Sequence, residues 1–108
     1  MLTKLPQSIE AYFHAANAHD SRLLVDCFTE DAIVHDEGKE YCGIAAIREW
    51  NETTGKKYDL TLEVLSAVEE NGETVVTALA SGNFEGSPTS IDFHFNVKNR
   101  KITALRCN

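Results

Sequence analysis

The sequence predicts an α+β domain, and three observations carry that prediction. In the first half apolar residues recur at spacings of three and four, the mark of helices with one buried face. After Gly55 the period drops to two, the mark of half-buried strands. Between two such runs stands Asn71-Gly72, a pair that accepts the positive φ of a tight hairpin. Helices segregated from an antiparallel meander define the class. At 108 residues the chain makes one domain, 1–108, long enough to bury a core without staples.

The first helix is expected from Pro6 to Ala18, with Thr3 or Leu5 leading in. Leu5, Ile9, Tyr12, Phe13 and Ala16 share one side of it. Asn17 to Asp20 ends it, and Asp20 or Ser21 caps a short second helix, Arg22 to Phe28. Glu30 and Asp31 break the helical pattern, and Ala32 to Asp36 reads as the first strand. A loop over Lys39 to Gly43, with a short strand at Glu40 to Cys42, leads to a third helix from Ile44 to Thr53. Its apolar side is Ile44, Ile47 and Trp50, and Gly55 is its stop signal.

Tyr58, Leu60, Leu62 and Val64 then alternate with polar residues in a strand that ends at Val68. Thr74 to Phe84 follows the Asn-Gly turn, and Glu85 to Pro88 turns the chain again. Ile91, Phe93, Phe95 and Val97 alternate in the next strand, and Ile102 to Cys107 is the last. A strongly bent sheet over the helices leaves a pocket at its open end, a common place for a ligand.

The net charge of −7 argues against nucleic acid, which needs a basic face, and against an anionic membrane surface. No apolar run reaches membrane-spanning length, and Met1 to Pro6 lacks the apolar core of a signal peptide, so a cytoplasmic protein is expected. Cys27, Cys42 and Cys107 show no paired spacing and read as reduced thiols, with neither a disulfide framework nor a zinc site. His14 and His19, five apart, share no helix face, and with His94 they form no ligand spacing; no metal is expected.

Five stretches, in order, resemble the SnoaL-like branch of the nuclear transport factor 2-like superfamily. They are Ile9 to Phe13 with Asn17 to Asp20, Cys27 to Asp36, Gly43 to Trp50, Gly82 to Pro88, and Phe93 to Phe95 with Lys101-Ile102. The resemblance implies a cone-shaped curved antiparallel β-sheet wrapped around three N-terminal helices, an apolar cavity, and a homodimer formed through the outer sheet face. The superfamily includes isomerases, cyclases, dehydratases and proteins without a known reaction, so fold does not settle function.

The nearest chemical template that resemblance offers is the ketosteroid isomerase, which needs no cofactor. It implies Asp36 as general base, Tyr12 as oxyanion donor and Asp92 as a second, protonated donor. Its ligand pocket is expected to involve Phe13, Phe28, Val34, Trp50, Phe93 and Phe95. The isomerases usually carry proline after the base, where this chain has Glu37. Period two sets Asp92, His94 and Asn96 opposite Ile91, Phe93 and Phe95, which points Asp92 outward if the phenylalanines face the cavity. His35 alternates with Asp36 and is expected on the outer side, and Gly82 to Pro88 reads as a turn with a bulge. Two functions stand level on these residues. One is acid–base chemistry on a small hydrophobic carbonyl compound; the other is a non-catalytic ligand-binding or dimer-forming module.

Overall fold

The computed structural model describes residues 5–107, so Thr3 lies outside the described residues. The elements run α1 (Gln7–Asn17), α2 (Ser21–Val25), β1 (Phe28–Asp36), β2 (Lys39–Cys42), α3 (Ile44–Tyr58), β3 (Thr61–Glu70), β4 (Glu73–Ser81), β5 (Thr89–Lys98) and β6 (Lys101–Cys107). The six strands form one curved, unclosed sheet in the order β2-β1-β6-β5-β4-β3. All neighbours are antiparallel except β1 and β6, which run parallel. Bulges or register shifts in β1, β3 and β6 supply local bends of the kind that curve a sheet around helices.

Helix α1 begins after Pro6, whose carbonyl accepts from the amides of Ile9 and Glu10, both at 3.0 Å. Asp20 is the cap of α2: its Oδ1 accepts from the amides of Arg22 and Leu23, each at 3.1 Å. The second helix stops at Val25, short of Phe28. Phe28 opens β1 instead, because it pairs with Ile102 of β6 and the Ile102 amide donates to the Cys27 carbonyl at 2.7 Å. The charged pair Glu30-Asp31 falls where the register of β1 shifts, exposed, and the regular strand resumes at Ile33.

Helix α3 runs through Gly55 to Tyr58 and ends at Asp59 in the left-handed region, with the Asp59 amide donating to the Gly55 carbonyl. Gly55 is therefore no stop signal; it lies against the His19 ring, and Lys56 and Lys57 in the last turn suit the helix dipole. This longer helix takes up Tyr58 and moves the start of β3 to Thr61. Strand β4 ends at Ser81, and Gly82 to Pro88 is a loop docked on α3 rather than a continuation of the strand. The Asn83 amide donates to the Tyr58 carbonyl at 2.6 Å.

The inner face is the core. Ile9, Phe13, Leu24 and Ile47 from the helices meet Val34, Val76, Ala78, Phe95, Ile102 and Leu105 from the sheet. Burying such side chains contributes roughly 1.5–3 kcal/mol each for the larger ones. Beside it, the Asn17 side chain pairs with the backbone of Leu62, accepting from its amide at 2.7 Å and donating to its carbonyl at 2.8 Å. This side-chain amide stands where a further strand would, and it ties the end of α1 to the sheet edge. No described helix is long and apolar enough to cross a membrane.

Candidate functional site

Asp36 is the last residue of β1, two positions beyond fully buried Val34, so it points to the inner face. The core thins there and Asp36 is half-buried. The chain then reverses through Glu37 and Gly38, both at positive φ, into the Asp36–Lys39 pair of the β1–β2 hairpin. Continuing the β1–β6 register by one step sets Cys107 beside Asp36, and Phe93 pairs with Cys107 in turn. One row across the inner face is thus Asp36, Cys107, Phe93 and Val76.

Two helices close over that row. On α3, Trp50 lies one turn after fully buried Ile47, and its indole N–H donates to Asp36 Oδ2 at 2.9 Å. On α1, Tyr12 is 2% exposed and packs edge-on against Phe13, Phe28 and Phe95, with ring centroids 5.1, 6.0 and 5.4 Å away. Its hydroxyl has no hydrogen-bond partner among the described residues. Tyr12, Asp36, Trp50, Tyr58, Phe84 and Phe93 all line one cavity of about 630 Å³. That volume suits a small organic molecule.

Burial raises the Asp36 carboxyl above its ordinary range, and the Trp50 indole opposes this by bonding to the charged form. The neighbouring Glu37 carboxylate raises it further, while the Glu37 backbone amide opposes this. Burial also pushes the Tyr12 phenol well above its usual value, with Cys107, Asp36 and Cys27 adding to the effect. Cys107 is raised by burial and by Asp36. The site therefore sets the Asp36 carboxyl beside a phenol and a thiol that burial holds toward their protonated forms.

Of the three residues carried over as catalytic, the fold brings Asp36 and Tyr12 together and leaves Asp92 out. Asp92 stands on the outer face, exposed, accepting a hydrogen bond from Thr77 Oγ1 at 2.8 Å. Strand parity is the reason, since Phe93 and Phe95 take the inward positions. Among the expected pocket residues, Trp50 and Phe93 line the cavity. Phe13, Phe28, Val34 and Phe95 do not: they are buried at the closed end and fill it. Phe13 and Phe95, for example, stack edge-on at 5.8 Å.

The walls not singled out in the sequence are Tyr58, Leu60, Leu62, Phe84, Ile91 and Cys107. Leu60, Leu62 and Ile91 were visible as inward members of alternating runs, but nothing local marked them as cavity rather than core. Phe84 belongs to the Gly82 to Pro88 stretch, whose place is now evident. The loop presents Phe84 edge-on to Tyr58 at 5.9 Å and makes one side of the mouth. At the rim, His19 lies 3.7 Å from Asp59. His35 faces outward, 3.6 Å from Glu40 on β2. Among the described residues no three His, Cys, Asp or Glu side chains gather as a metal site.

A profile of the SnoaL-like domain matches residues 9–105. Among solved structures, a Sinorhizobium meliloti protein named as a candidate polyketide cyclase shares 32% identity, covering 96% of this chain and 95% of its own, with a TM-score of 0.92. A Catenulispora acidiphila protein with a ketosteroid isomerase-like fold, in complex with trimethylamine, superposes with a TM-score of 0.84 at 18% identity, over 97% of this chain and 86% of its own. A Novosphingobium aromaticivorans protein of cystatin fold superposes at 0.79 with 16% identity, over 94% and 95% of the two chains. No curated protein sequence matches.

Proposed function

The chain belongs to the SnoaL-like domain family of the nuclear transport factor 2-like superfamily, and within it we propose a proton-transfer enzyme acting on a small hydrophobic carbonyl compound. One observation carries this reading: the Asp36 carboxylate and a Tyr12 hydroxyl without a hydrogen-bond partner among the described residues line the same largely apolar cavity. Asp36 takes a proton from the carbon next to the carbonyl, the C–H electrons form the enolate double bond, and the negative charge moves to oxygen. Tyr12 donates a hydrogen bond to that oxygen in a site with little competing water. Asp36, now a carboxylic acid, returns the proton at another carbon in an isomerisation. In a cyclisation the enolate carbon attacks a second carbonyl before protons are redistributed. The Sinorhizobium relative, named as a candidate polyketide cyclase, supports the second outcome.

A non-catalytic binding module remains the competing reading, and the outward place of Asp92 favours it, because only one phenol is left as a strong donor. Either form is proposed to be a homodimer through the outer sheet face, where Leu65 and Val68 are exposed. Deuterium wash-in from D2O into enolisable cyclic ketones such as 2-tetralone separates the two functions. The enzyme reading expects wild-type exchange that falls at least about 100-fold in Asp36→Asn, with ketone binding retained. Exchange that survives the substitution removes Asp36 as base, and a wild-type protein that binds ketones without exchanging them is the binding module.

A further inference from the structure

The geometry points to Trp50 as a positioning residue that fixes the direction and the proton affinity of Asp36. A carboxylate at a strand end, half open to a cavity, is free to turn toward bulk water unless something holds it. Here the indole N–H holds Oδ2 at 2.9 Å and leaves Oδ1 for a substrate proton. The indole is itself packed in place: Trp50 is 7% exposed, sits one turn from Ile47 on a 15-residue helix, and has the Tyr41 ring 6.1 Å away on the β2 side. An indole nitrogen is only ever a donor, so it always favours the oxygen that carries charge.

The residue after the base supports the same device. Glu37 sits at φ 52, in the left-handed region, and keeps a backbone amide that favours the charged form of Asp36. A proline there, as in the isomerases this stretch resembles, has no amide hydrogen and a fixed negative φ. In this chain the Trp50 indole from α3 is the donor on the carboxylate, and the Glu37 amide in the hairpin turn favours the same charged form electrostatically. The other titratable groups around Asp36 are the Glu37 carboxylate in the turn, Lys39 across the hairpin on β2, Tyr12 on α1 and Cys107 on β6. Among the described residues none of them forms an ion pair with Asp36. Among the described residues the half-buried charge is held by the Trp50 hydrogen bond and not by a cation.

Trp50 is the only tryptophan, so its indole gives a single 1H–15N resonance. Its catalytic consequence rests on the proton-transfer reading; its effect on Asp36 does not, and is measurable without substrate. Titrated by NMR, the wild-type indole resonance is expected to move with the same midpoint as the Asp36 carboxyl carbon, and to lose that transition in Asp36→Asn. In Trp50→Phe, which keeps an aromatic ring and removes the donor, the Asp36 midpoint is expected to rise by about one to two pH units. Where ketone exchange is present, the acid limb of its pH profile should move up equally. An indole resonance that stays still while Asp36 titrates overturns the assignment, as does a folded Trp50→Phe protein with an unchanged midpoint. If Trp50→Phe does not fold, the wild-type and Asp36→Asn titrations decide. Coupled titration without any ketone exchange upholds the role of Trp50 and discards only the enzyme.

Discussion

Asn17→Ala tests how the cavity is held open. β3 is the last strand of the sheet, so the Leu62 amide and carbonyl that meet Asn17 have no further strand to pair with. The substitution removes two hydrogen bonds of 2.7 and 2.8 Å, each worth about 1 kcal/mol net. Leu62 is buried while Asn17 is exposed, so water reaches the vacated groups only in part. The expected loss is about 1–3 kcal/mol of unfolding free energy, or roughly 10 °C in Tm. Urea denaturation gives the energy, and native-state hydrogen exchange gives the site: the Leu62 amide should lose protection while the β4–β5 ladder keeps its own. A variant within about 0.5 kcal/mol of wild type with Leu62 still protected would refute the idea that this side chain acts as a surrogate strand.

Two further outcomes concern the cavity and its mouth. Asp36→Asn should stabilise the protein at neutral pH: the raised Asp36 carboxyl means the folded state binds its proton more tightly, so wild-type stability falls as pH rises through the window above the ordinary carboxyl value. Thermal melts at pH 7.5 and below about pH 4 check this, with the variant's advantage confined to the higher pH. Gly82→Ala should cost about 1–3 kcal/mol and disturb the cavity mouth, because the added methyl collides with the Tyr58 carbonyl oxygen, a backbone atom that cannot swing away. Equal chemical denaturation midpoints for Gly82→Ala and wild type would show that the loop and the end of α3 are not in rigid contact.

Much of the fold was legible because its signals are local. The three-and-four spacing of Ile9, Tyr12 and Phe13, the alternation of Ile91, Phe93 and Phe95, and the Asn71-Gly72 turn each depend on a few neighbouring residues. The errors fell where distant partners overruled local preference. Phe28 became a strand residue because Ile102 pairs with it, and α3 passed through Gly55 to Tyr58 in company with His19 and the Gly82 to Pro88 loop. Parity alone also set Asp92 outward, against the role suggested by resemblance.

The sequence by itself determined the α+β class, the Asn71-Gly72 hairpin, and the two faces of β5, because backbone periods of 2 and 3.6 are written in residue order; the bulge that turns Ala67 inward and Val68 outward in β3 was not. The resemblance written in five of its stretches pointed to Asp36, Tyr12 and Asp92, of which the fold sets the first two in one cavity. Only the tertiary structure decided which aromatics bound a hollow and which fill the core. Phe93 and Phe95 carry the same local pattern, yet one reaches the cavity and the other does not. Only the tertiary structure joined Trp50 to Asp36, fourteen residues earlier. Such contacts depend on how far a helix advances across a curved sheet, a distance summed over many residues that no short stretch of sequence encodes.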